Sequence, residues 1–112
     1  MIELDDAPPA RERRIRESNV EAYLVERVEA LGGTAEKFKS PQKAHVPDRL
    51  VCWPKGDLGP ARACFVECKR PGEKPTPAQK RDHDRRRAMG FSVYVSDSYE
   101  AVDLFIEAEG KQ

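Results

Sequence analysis

A chain of 112 residues accommodates one hydrophobic core and is too short for two. Charged residues make up 36% of it and hydrophobic ones 38%, with four Phe, three Tyr and one Trp, a balance that suits a thin core under a busy surface and excludes wholesale disorder. No apolar run is long enough to span a bilayer, and the first residues lack the basic start and apolar stretch of a secretory signal, so a cytoplasmic protein with no membrane partner is expected.

Residues 1–16 carry Pro8, Pro9 and mixed charges without periodicity, and read as a mobile arm. From about Ser18, Val20, Tyr23, Leu24, Val28 and Leu31 fall at helical spacing, and Gly32-Gly33 ends the helix. Residues 34–39 form a short strand, and residues 40–45 a polar loop rich in turn formers. Strands are expected over 47–53 and 61–69, and the short Pro- and Gly-rich turn between them favours an antiparallel hairpin. After a loop at 70–75, a helix starts at Thr76 with Pro77 in its first position and runs to about Met89, before Gly90. Residues 91–95 alternate as a strand, and a last helix from about Ser98 puts Val102, Phe105 and Ile106 on one face. The order α-β-β-β-α-β-α describes an α/β protein with a central sheet flanked by helices.

Cys52, Cys64 and Cys68 are odd in number and contain no C-x-x-C pair, which favours free buried thiols in a reducing compartment over a structural zinc site. The formal net charge is zero, yet residues 69–87 hold eight basic residues against three acidic ones. Such a patch binds phosphates even on a neutral molecule, and a solvated helix face laced with i,i+4 pairs is the plain alternative.

The pattern with chemical content is Pro47-Asp48 followed by Glu67-Cys68-Lys69. Strand alternation puts Phe65, Glu67 and Lys69 on one face and Cys64, Val66 and Cys68 on the other. In an antiparallel hairpin the start of one strand lies beside the end of the next, which brings Asp48 toward Glu67 and Lys69. Two neighbouring carboxylates repel unless a positive group intervenes, and a hard divalent cation suits that need. Lys69 would then orient an attacking water and steady developing charge. The plain alternative is a surface salt bridge between Glu67 and Lys69. Glu21 and Glu17, one turn apart, border the apolar stripe of the first helix, and geometry alone does not choose between them. Thr76-x-x-Gln79 makes a capping box, which explains Gln79 without excluding a second role. His45 lies in the loop before Asp48 and could touch phosphate, although a lone loop histidine is more often inert; His83 reads as a helix-surface or packing residue.

Together these residues resemble a stand-alone VRR-NUC domain, a branch of the PD-(D/E)xK nuclease superfamily. The resemblance runs from about residue 17 to residue 106: Glu17-Ser-Asn-Val-Glu21 leading to Leu31-Gly32-Gly33, then Val46-Pro47-Asp48-Arg49-Leu50-Val51. Phe65-Val66-Glu67-Cys68-Lys69-Arg70-Pro71-Gly72, Pro75-Thr76-Pro77-Ala78-Gln79 and Gly90-Phe91-Ser92-Val93-Tyr94-Val95 complete it. The resemblance implies a restriction-endonuclease-like core over residues 17–109 as a single nuclease domain, and hydrolysis of DNA phosphodiesters with Mg²⁺ or Mn²⁺. The family's helical glutamate precedes the helix-ending glycine by eleven residues, which selects Glu21 over Glu17. Metal binding falls to Glu21, Asp48, Glu67 and the backbone carbonyl of Cys68, water positioning to Lys69 and a supporting role to Gln79. Stand-alone members are similar to Holliday-junction resolvases, tend to be homodimers and are often carried by bacteriophages or bacteria. Many relatives have Gly where His45 stands, so the loop beside the site has its own shape here, with consequences for substrate preference.

The expectation is therefore a structure-selective endonuclease, with Lys37, Lys39, Lys43, Arg49, Arg70, Lys74 and Lys80 as phosphate contacts made without base readout. A non-cleaving DNA-binding or assembly module on the same fold is the alternative from another class. A restriction-type nuclease reading a short sequence is a third, for which so short a chain leaves little room.

Overall fold

The computed structural model describes residues 15–57 and 59–110. Their elements follow the expected order: α1 (Glu17–Ala30), β1 (Thr34–Lys37), β2 (Arg49–Trp53), β3 (Arg62–Cys68), α2 (Pro77–Ala88), β4 (Val93–Ser96) and α3 (Tyr99–Glu109). Of the arm expected over 1–16, residues 1–14 lie outside the described residues. Its last two do not behave as an arm, because Ile15 packs against the core and Arg16 caps α1.

The strands form one sheet in the order β1-β2-β3-β4. β1 pairs with β2 and β2 with β3, both antiparallel, while β4 runs parallel to β3. A parallel neighbour requires a crossover, and α2 provides it.

β3 is buried along most of its length because both faces of the sheet are covered. On one face Val20, Leu24 and Val28 of α1 and Val102, Phe105 and Ile106 of α3 meet Val51, Trp53, Cys64, Val66 and Cys68 of the sheet. On the other, Phe65 packs between Phe38 and Phe91, at centroid distances of 5.4 and 5.8 Å. The guanidinium of Arg86, from α2, lies 4.8 Å from the Phe65 centroid and closes that side.

The register places the chemistry at one end of the sheet. Arg49 sits opposite Val66 in the antiparallel pair, so Asp48 arrives beside the end of β3. The turn after α1 lies at the opposite end, beside Cys52 and Trp53 of β2. Gly32 adopts φ +86°, and the Gly33 N–H donates to the Val28 carbonyl at 3.1 Å. All three cysteines are free, with Cys64 and Cys68 buried. Among the described residues no helix is long and apolar enough to cross a membrane.

Candidate active site

Asp48 is held by backbone on both sides. Its carbonyl accepts from the Phe38 N–H at 2.9 Å, and its Oδ1 accepts from the Cys68 N–H at 3.0 Å. The second bond ties the start of β2 to the end of β3. Glu67, next to Cys68 and pointing to the α2 face, is 4% exposed.

The Glu67 carboxylate is gripped on one oxygen only. Its Oε2 lies 3.6 Å from the Lys69 ammonium and accepts from Gln79 Nε2 at 3.3 Å. Its Oε1 is buried without a hydrogen-bond partner. Lys69 itself is 6% exposed, and its N–H donates to the Ser96 carbonyl at 2.9 Å, continuing the β3–β4 pairing past the last residue of β3. The plain alternative of a surface salt bridge between Glu67 and Lys69 does not hold, because both residues are buried.

Gln79 has two roles at once. Its N–H donates to Thr76 Oγ1 at 3.1 Å and its side-chain oxygen accepts from the Thr76 N–H at 2.9 Å, completing the capping box at the start of α2. With the amide oxygen committed to Thr76, the amide nitrogen can only face Glu67.

From the opposite side α1 delivers two glutamates. Glu17 and Glu21 lie one turn apart, and each offers an oxygen that, with one from Asp48, forms a set all within 4.8 Å of one another. Glu17 belongs to this cluster beside Glu21, so both glutamates that border the apolar stripe reach the site, where the family resemblance selects Glu21 alone. Arg49 enters the cluster as well. Its Nη2 and Nε donate to Glu21 Oε1 at 2.8 and 3.2 Å, and its Nη1 donates to the Ala35 carbonyl at 3.0 Å.

Crowded carboxylates resist ionisation. Burial above all, with the charges of Glu21 and Glu17 added and the Cys68 N–H opposing, lifts Asp48 to about 6. Burial and then the Asp48 charge push Glu67 up to about 7, against the ammonium of Lys69. Glu17 is raised too, by burial and then by Glu21. Burial and mutual repulsion keep these carboxyls raised despite Arg49 and Lys69, and Glu67 Oε1 is buried without a hydrogen-bond partner. A hard divalent ion with oxygen ligands meets both needs, so these residues fit one.

The sequence-derived phosphate contacts separate in space. Lys37, Lys39, Lys43, Arg70, Lys74 and Lys80 are exposed. Arg70 lies 3.9 Å from Glu73, and Lys80 lies 3.3 Å from Asp84. Arg49 differs from the rest, being half-buried and committed to Glu21 and Ala35, which removes it from the exposed basic surface. His45 is exposed with φ +66°. His83 is a packing residue inside α2, 1% exposed, and burial lowers its pKa.

No family model matches the chain. Over 86 residues it is 52% identical to "Putative nuclease p44" of Acyrthosiphon pisum secondary endosymbiont phage 1, an alignment covering 77% of this chain and 87% of the phage protein. A solved structure described as a VRR_NUC domain is similar over 83% of this chain and 96% of its own, with 39% identity and a TM-score of 0.72. The four-stranded mixed sheet with its three helices is thus the restriction-endonuclease-like architecture of that domain.

Proposed function

The chain belongs to the VRR_NUC family of nuclease domains, and from that premise we propose that it is a divalent-metal-dependent endonuclease hydrolysing DNA phosphodiester bonds. The observation that carries this reading is the partnerless, buried Oε1 of Glu67, in a carboxylate whose pKa is raised by burial and the Asp48 charge and which is set against the buried Lys69 ammonium. A binding module has no use for that combination, which is costly to bury.

Asp48 and Glu67 would hold Mg²⁺ or Mn²⁺, with Glu21 or Glu17 from α1 and the Cys68 carbonyl completing the oxygen set. When bound, the ion supplies Lewis-acid stabilisation of phosphoryl oxygens and a water more acidic than bulk. Lys69 presents a fixed ammonium beside Glu67, where it orients a nucleophilic water and steadies negative charge as phosphorus is attacked. The oxygen–phosphorus bond from water forms as the bond to the leaving strand breaks. Gln79 keeps Glu67 aimed, and Arg49 screens Glu21 from its acidic neighbours.

DNA is the substrate on this reading, held through its backbone by Lys37, Lys39, Lys43, Arg70, Lys74 and Lys80. A homodimer with two such sites would address two strands of a branched substrate such as a Holliday junction. The setting is the cytoplasm of a bacterial or phage-infected cell, and residues 17–109 act as one nuclease domain.

Labelled four-way junction, flap and linear duplex, incubated with wild type and Mg²⁺ or Mn²⁺, test the substrate class. Preferential cutting of the junction or flap supports structure selectivity, and equal cutting of all three removes it. No cutting of any, with DNA still bound, turns the reading to a non-cleaving module.

A further inference from the structure

The basic residues of α2 are not equivalent. Lys80 and Arg87 share Asp84 at 3.3 and 3.1 Å, and Arg85 and Arg86 take one oxygen each of the buried Asp82. Arg81 has no ion-pair partner among the described residues. Its neighbours one turn away are Pro77, Ala78 and Arg85, and Asp84 is already shared.

Arg81 lines a cleft of about 260 Å³ between α2 and the 40–45 loop, together with Lys43, His45, Ala78, Asp82 and Arg85. The ammonium of Lys43 also has no ion-pair partner among the described residues. The acid in the cleft, Asp82, is already matched on both oxygens by Arg85 and Arg86, so the cleft keeps a positive excess. His45 lines it from a left-handed backbone, φ +66°, which costs a non-glycine residue about 1 kcal/mol. Retained strain at an exposed loop residue is explained when that residue has a task there.

Two residues of the cleft lining are joined along the chain to the carboxylate site. Ala78 precedes Gln79, which bonds Glu67, and His45 stands three residues before Asp48. We infer that this cleft is a phosphate pocket for the DNA strand that enters the active site, with Arg81, Lys43 and His45 as its contacts. The inference rests on the DNA nuclease reading for its ligand and adds to it the place where a phosphate next to the cutting site is held. An unpaired guanidinium presents its planar fork to a phosphate without first breaking an ion pair, which Lys80, Arg85 and Arg87 must do.

Binding of fluorescein-labelled duplex, followed by anisotropy in EDTA at several salt concentrations, tests this without cutting. Arg81→Gln and Lys43→Gln are each expected to weaken binding about threefold to tenfold and to flatten the plot of log affinity against log salt by about one. His45→Gly is expected to weaken binding while its melting temperature holds or rises, since glycine accepts that backbone freely. Lys55→Gln, beyond the far end of β2, serves as the control and is expected to change neither quantity. Wild-type affinity and slope in both Arg81→Gln and Lys43→Gln would overturn the pocket. A deoxynucleoside monophosphate should displace duplex only in large excess; displacement at equal concentration would make this a nucleotide site and overturn the strand assignment. Weakened binding in a protein that cuts no DNA would leave the pocket standing and sink the catalytic reading alone.

Discussion

Gln79 Nε2 donates to Glu67 Oε2 across 3.3 Å while the oxygen of the same amide accepts from the Thr76 N–H that begins α2. One side chain thereby couples the start of a helix to the orientation of a buried carboxylate. The cap fixes which end of the amide faces the site.

Two substitutions separate those roles. Gln79→Ala removes the side-chain half of the capping box and the bond to Glu67, and is expected to cost about 1 kcal/mol of stability along with activity. Gln79→Glu keeps an acceptor for the Thr76 N–H but sets a second carboxylate against Glu67. Chemical denaturation should find it closer to wild type than Gln79→Ala at acidic pH, while single-turnover cleavage falls at least as far. Equal effects on both quantities in both variants would reduce Gln79 to a cap.

Arg49 lies within the acidic cluster, and its removal leaves Glu21 facing Glu17 and Asp48 without a counter-charge. Arg49→Ala is expected to lower the metal-free stability by on the order of 2 kcal/mol, since a half-buried pair loses one partner. Millimolar Mg²⁺ should recover part of that loss, because a cation bound only by the folded state adds stability. Thermal melts with and without Mg²⁺ report both effects. An Arg49→Ala protein as stable as wild type without metal would mean the pair contributes nothing.

The order of all seven elements and the antiparallel hairpin were legible in the sequence because they rest on periodicity and turn residues. So was the split of β3 into a Phe65–Glu67–Lys69 face and a Cys64–Val66–Cys68 face. Boundaries were less so. β4 begins at Val93 rather than Phe91, because parallel pairing with Phe65 sets its start and leaves Phe91 about half exposed. The entry of Glu17 into the cluster, the Arg49–Glu21 pair and the isolation of Arg81 were not legible. Each depends on which side chains meet across space, and no spacing rule along one helix or strand encodes that.

The pH dependence of the metal-free protein follows from the raised carboxyls. Asp48 at about 6 and Glu67 at about 7 both exceed their unfolded values near 4, so between those limits the folded state holds more protons than the unfolded one. Stability contributed by these groups is therefore present below pH 4 to 5 and lost as pH rises through 6 and 7. Relative to Asp48→Asn, wild type without metal should lose melting temperature between pH 5 and pH 8. Mg²⁺ should reverse the loss at pH 8 and matter little at pH 5, where protons compete for the same oxygens. A wild type and Asp48→Asn with parallel pH profiles would refute this ionic strain.

Gly33 tests the packing that positions α1. A Cβ there would meet the Cys52 carbonyl oxygen at 2.8 Å, Trp53 Cε3 at 2.9 Å and Val28 Cγ1 at 3.0 Å. Backbone and a buried ring have little freedom to yield, so Gly33→Ala is expected to cost about 1–3 kcal/mol, read from urea denaturation. A cost near zero would show that the α1–β2 junction relaxes freely.

The central claim is metal-dependent phosphodiester hydrolysis by Asp48, Glu67 and Lys69, and single-turnover cleavage of labelled DNA with Mn²⁺ tests it most directly. Wild type should cut, EDTA should stop it, and Asp48→Ala should lose both cutting and the Mn²⁺-induced rise in melting temperature. Lys69→Ala should keep that rise and lose the cutting. Cleavage that survives Asp48→Ala and Lys69→Ala alike would contradict the assignment of this site.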